Sequence, residues 1–163
     1  MNNDFNAIRI GAMLAMLTLI FGIGMGVLFG ANEDAVKDYI KTGVSRNAAL
    51  HDDNSESKIW RYAQRAHFHA TGVGAFAMGM ILLTGVSNMS RSFKTATSVL
   101  IGIGSFYALA WLSMFLLSPS MGRDGAHEAF MTEAVTMVTV GSMLLGVAVL
   151  SLHLMFGLGK ARS

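Results

Sequence analysis

Four long apolar stretches, at residues 8–30, 66–86, 95–117 and 129–158, leave this chain few folds to choose from. At 1.5 Å of rise per residue, each is about long enough to cross a hydrocarbon core of ~30 Å. Lipid offers the backbone no water to bond, so each stretch must satisfy its own hydrogen bonds as an α-helix. The expected fold is all-α, an antiparallel four-transmembrane-helix bundle forming one domain over residues 1–163. Four crossings put both termini on one face and both longer connections, around 31–65 and 118–128, on the other.

Composition supports this and narrows the function. Apolar residues make up 53% of the chain and charged residues 13%, about half the charge of an ordinary soluble domain. Cysteine is absent, which excludes disulfides, c-type haem attachment, cysteine-ligated iron–sulfur clusters and a thiolate nucleophile. No basic stripe with interleaved aromatics occurs, so nucleic acid is not an expected partner and the lipid bilayer is.

The first apolar run is longer than a signal-peptide core and ends in Leu28-Phe29-Gly30, not a small-x-small site, so it reads as a retained helix. Arg9, Arg91, Lys94, Lys160 and Arg162 are concentrated on short segments of one side. Their density predicts cytoplasmic termini, with a bacterial inner membrane as the expected location.

Residues 31–65 are too many for a simple link between helices. Ala35, Val36, Tyr39 and Ile40 recur at helical spacing, with acids before them and Lys41 after. This predicts a short amphipathic helix over 33–42, lying on the surface and ended by Gly43. A second helix is expected from Ser55 into the membrane, carrying Trp60 and Tyr62 as an interfacial aromatic belt. Ser118-Pro119-Ser120 is expected to end the third helix, and His51 to be solvated in its loop. Gly22, Gly26 and Gly30 line one helix face and allow close packing, either within the chain or against other membrane subunits or a second copy. The methionines are scattered and read as core filling.

Related text opens the second and fourth spans. Ala66-His67 and Ala126-His127 are each followed by a glycine-rich apolar run, and Gly22-Ile23-Gly24 matches Gly102-Ile103-Gly104. Two helical hairpins related by an axis along the membrane normal would explain this and set His67 and His127 at matching depth.

Around these histidines the chain concentrates its polar chemistry. Arg61, Arg65 and His69 share one helix face, and Gln64, His67 and Thr71 another, because His67 and His69 are about 200° apart on a helix. Arg123, Asp124 and His127 precede the fourth span, and Glu133 is the one acid within the apolar stretches. Such a group is costly to leave in lipid and should face the bundle as a proton-coupled residue.

Three chemistries fit. In the first, one b-type haem near the outer face is ligated by His67 or His69 and His127, with Arg61, Arg65 and Arg123 matching its propionates. In the second, His67 and His127 hold a divalent metal. In the third, a quinone exchanges protons with a histidine and Glu133. The expected function is thus a small integral membrane redox protein. The alternative is a cofactor-free accessory or structural subunit of a larger membrane complex.

Overall fold

A computed structural model describes residues 2–161, with side chains from Phe5 onward. Arg162 and Ser163, and the side chains of Asn3 and Asp4, lie outside this description. Among the described residues the fold is all helical: α1 (Asn2–Arg46), α2 (Ser55–Val86), α3 (Arg91–Gly104), α4 (Ala108–Glu128) and α5 (Phe130–Phe156). A 3₁₀ turn at Ser105–Tyr107 joins α3 to α4, so these two helices make one span. The four spanning units are long and apolar enough to cross a membrane.

The register follows from where small residues let neighbours close in. Ile8 meets Gly85, Leu19 meets Gly74, and Gly22 meets Ala70 and Thr71, so α1 and α2 run antiparallel. Gly11 sits on Ser98 and Gly102, and Thr18 on Ser105, so the first and third spans run parallel. Gly104 and Gly146 seat Met143 and Ile101, pairing α5 antiparallel to the third span. The 87–90 turn and residues 157–161 share one end of the bundle, where Ser90 N–H donates to Gly159 O and Ala161 N–H to Asn88 O.

α1 packs on α2 and α3, and α2 on the third span, whereas α5 packs chiefly on the third span. This asymmetry opens a groove along α5.

The core is built from small residues, as expected where dispersion and close approach drive helix association. Ile8, Ala15, Ala77, Ile81 and Ile101 form one buried cluster. Beside it the Thr18 and Ser105 hydroxyls are hydrogen-bonded at 2.8 Å, with Ser105 donating to Gly102 O at 2.6 Å. A second cluster, Val36, Ile40, Ile59, Ala63 and Phe115, lies at the far end.

Three expectations about the far end are corrected. The 33–42 segment is helical as expected, set off from the rest of α1 by the non-helical Asn32 (φ −149°, ψ 41°), but its helix runs on to Arg46 and does not lie on the surface by its apolar face. Its apolar face, Val36 and Ile40, is buried against α2 and α4 instead of resting on lipid. Gly43 does not end the helix; it admits the Pro119 ring, which a side chain there would overlap.

Pro119 does not end the third span either, because α4 passes through it and leaves the helical path only at Gly122 (φ 75°, ψ 168°). Carbonyls near the proline are taken up by side chains. Ser118 donates to Met114 O at 2.5 Å, Tyr39 to Leu116 O at 2.8 Å, and Asn47 to Pro119 O at 3.1 Å.

Candidate functional site

Four of the five histidines bond a backbone carbonyl, and this defines which nitrogen each leaves available. A carbonyl only accepts, so the ring nitrogen facing it must carry the proton. His67 Nδ1–H donates to Gly22 O at 2.8 Å and His69 Nδ1–H to Arg65 O at 2.8 Å. His153 Nδ1–H donates to Leu158 O at 2.7 Å. In these three neutral rings Nε2 is left as the base. His51 is reversed: Nε2–H donates to Pro119 O at 3.2 Å, leaving Nδ1 buried without a partner. The expectation of a solvated His51 is therefore corrected, since it helps cap the proline carbonyl.

The histidines do not share one neighbourhood. His67 turns to α1, where its ring fits over Gly26 and lies edge-on to Phe29 at 6.1 Å. The glycine face of α1 is thus occupied within the chain at Gly22 and Gly26, and Gly30 alone is open. Gly22 and Gly26 thus serve packing between α1 and α2 within the chain. His69 points the other way, as the helical angle predicts, with Tyr107 at 5.3 Å and Trp111 at 5.6 Å. His127 belongs to the end of α4 and not to the start of α5, because the chain leaves the helix at Ala129. It shares no contact residue with His67.

His127 instead lines a cavity of about 320 Å³ between the third span and α5. Tyr107, Ala110, Trp111 and Met114 form one wall, and Thr132, Glu133, Thr136 and Met137 the other. Three breaks in helical regularity shape it. The 3₁₀ turn sets Tyr107, the Gly122 bend brings His127 round, and the extended Ala129 starts α5. The Thr132 and Thr136 hydroxyls are engaged, Thr132 with Ser113 at 2.7 Å and Thr136 with its own helix.

Three groups in the wall are not engaged. Trp111 Nε1–H is buried with no hydrogen-bond partner. The exposed side chains of His127 and Glu133 make no hydrogen bond or ion pair with any described residue. A buried donor left unmade costs about 1–3 kcal/mol, so an orphan indole beside a cavity calls for a missing acceptor.

Trp111 is rigidly placed. Its ring is flanked by Tyr62 at 5.8 Å and His69, and the Arg65 guanidinium lies 4.7 Å over it. Tyr62 and Trp60 are therefore half-buried packing residues in addition to their interfacial position, with Trp60 edge-on to Phe29 at 5.3 Å. Of the remaining arginines, Arg61 is exposed and Arg123 reaches Asp52 at 3.8 Å. No Lys or Arg lines the cavity. Among the described residues no three His, Asp or Glu side chains gather at one point.

Sequence reasoning found His127 and Glu133 but missed Tyr107 and Trp111. Their four-residue spacing, repeated by Glu133 and Met137 on the facing helix, was the available signal. Comparison with family models, curated proteins and solved structures finds no match to this chain.

Proposed function

We propose that this chain is a small integral membrane redox protein whose redox ligand occupies the cavity between the third span and α5. The observation that supports the reading is the set of three uncommitted polar groups, Trp111 Nε1–H, His127 and Glu133, in one mostly apolar cavity. A concave apolar site with a few convergent polar groups is the ordinary form of a small-molecule site. The cavity lies toward the end bearing the 47–54 connection and the junction of α4 with α5 at Ala129, the outer face if the termini are cytoplasmic. A bacterial inner membrane is the proposed setting.

A b-type haem would draw on His127 and His69 for imidazole and on Arg61, Arg65 or Arg123 for its propionates. It would supply one-electron transfer. The fit is poor: His67 faces α1, Arg65 covers Trp111, Arg123 is held by Asp52, and no cation lines the cavity. A divalent metal would find His127 and Glu133 but no third ligand among the described residues. A ligand held by hydrogen bonds suits the residues better.

A second reading, a cofactor-free accessory subunit, is favoured by the outer face of α5. Phe130 (84% exposed), Met137 (70%) and Met155 (71%) form a surface that either lipid or another membrane subunit would cover.

The test is to purify the protein, record the dithionite-reduced visible spectrum and analyse an organic extract for redox-active compounds. The proposal expects a bound redox compound, lost in His127→Ala and kept in His153→Ala, since His153 lies at the opposite end. A wild-type protein that holds none, from a membrane containing both haem and quinone, transfers the conclusion to the accessory-subunit reading.

A further inference from the structure

Resting on the redox reading of this cavity, we infer that its ligand is the headgroup of a lipid-soluble para-quinone. One quinone oxygen accepts from the Trp111 indole, and the other faces His127 and Glu133. Four properties of the site lead to this class. Its volume of about 320 Å³ is at the small end of ligand sites, room for one substituted ring and not a macrocycle. Its wall supplies apolar surface from Ala110, Met114 and Met137 around the polar groups.

No Lys or Arg lines it, so a phosphate or carboxylate ligand would enter without a counter-charge, a costly arrangement in a low-dielectric site. A quinone is neutral, planar and apolar except for two opposed acceptor oxygens. Those need donors, and the indole N–H is buried without an acceptor.

The route of entry selects a membrane-dissolved molecule. α5 packs chiefly on the third span, and neither α1 nor α2 contributes a residue to the cavity wall. Met137 lines the cavity while 70% exposed on the apolar flank of α5. The mouth therefore opens where acyl chains run, and an isoprenoid tail can remain in lipid while the ring enters. His127 and Glu133 are the two titratable groups of the cavity wall besides Tyr107, with neither committed to another residue. They can donate to or accept a proton from the ring oxygen, which a purely structural cleft would not need.

The chain carries two tryptophans, Trp60 and Trp111, which makes the inference readable by fluorescence. Full-length protein in nanodiscs of synthetic, quinone-free phospholipid is titrated with a short-tailed para-benzoquinone. In Trp60→Phe the remaining Trp111 should be quenched saturably. In Trp111→Phe the remaining Trp60, which packs on Phe29 and under Lys37 away from the cavity, should show only the weak linear quenching of random collision.

Glu133→Gln and His127→Gln in the Trp60→Phe background should each weaken the saturable phase about three- to tenfold, the loss of one hydrogen bond. Because Glu133 is exposed and outside both core clusters, its variant also tests the site in wild-type protein should Trp60→Phe fail to fold. Linear quenching of Trp111 equal to that of Trp60 overturns the inference and leaves the cavity to a lipid acyl chain. If the purified protein then shows a haem spectrum, the redox reading survives without the quinone; if it holds no redox compound at all, both fall.

Discussion

Gly104→Ala is the substitution whose cost the structure defines best. A Cβ at residue 104 would lie 2.5 Å from Met143 Cβ, 2.7 Å from its Cα and 2.8 Å from its backbone nitrogen, whereas ordinary contact begins at 3.4 Å. Two of these neighbours are backbone, so no side chain can rotate away and α5 must retreat by about 0.9 Å, the gap between 2.5 and 3.4 Å. Overpacking of this kind costs about 1–3 kcal/mol, roughly a 5- to 150-fold loss in the folding equilibrium. α5 packs chiefly on the third span, so the retreat falls mainly on that contact and widens the cavity at Thr132–Met137.

The matched control is Gly141→Ala on the facing helix α5, where a Cβ meets nothing within 4 Å. Removing a glycine there should be neutral or stabilising by up to about 1 kcal/mol. Unfolding in mixed micelles titrated with SDS, followed by near-UV circular dichroism, reads both. Equal midpoints for Gly104→Ala and Gly141→Ala would refute the packing of α5 described above.

Three further outcomes are expected. Thr18→Val should destabilise by about 1 kcal/mol by removing its hydrogen bond to Ser105, whose hydroxyl keeps Gly102 O as acceptor, and Thr18→Val with Ser105→Ala should cost less than the sum of the two single changes, measured as a double-mutant cycle. The Ser55 hydroxyl and then Lys58 hold the Asp52 carboxyl below its usual range. A depressed carboxylate contributes stability above its unfolded value and loses it as pH falls through the folded one, so acid should loosen the 47–58 connection in wild type and not in Asp52→Asn, read by limited proteolysis across the acidic range. Single cysteines at Asn88 and Ala161 should react with an impermeant maleimide from one side of sealed vesicles and a cysteine at Asp53 from the other; labelling of all three from one side would contradict the register of the spans.

Much of the fold was legible because lipid removes choices. A backbone segment with no water to bond has to be helical, so the four spans, and a fold without a named strand among the described residues, follow from length and hydropathy alone. The opposed directions of His67 and His69 are likewise simple helical geometry. Breaks were harder to read. Gly43 and Pro119 carry the ordinary signals of helix termination, yet each is absorbed by the other: the missing side chain of one makes room for the ring of its neighbour. Local signals report what a residue does to its own helix and say nothing of a second helix that compensates for it.

What only the tertiary structure decided is which face of each helix meets protein. In a soluble bundle the apolar stripe marks the core, but a spanning helix is apolar all round, because lipid and protein interior solvate a side chain almost equally well. Nothing in the text of α5 distinguishes Gly146, closed against Ile101, from Gly141, open on the outside. For the same reason the sequence could place His67, His127 and Glu133 near the same end of the bundle but could not sort them. The packing of α1 on α2 claimed His67, and the pairing of α5 chiefly with the third span left His127 and Glu133 beside Trp111 in one cavity.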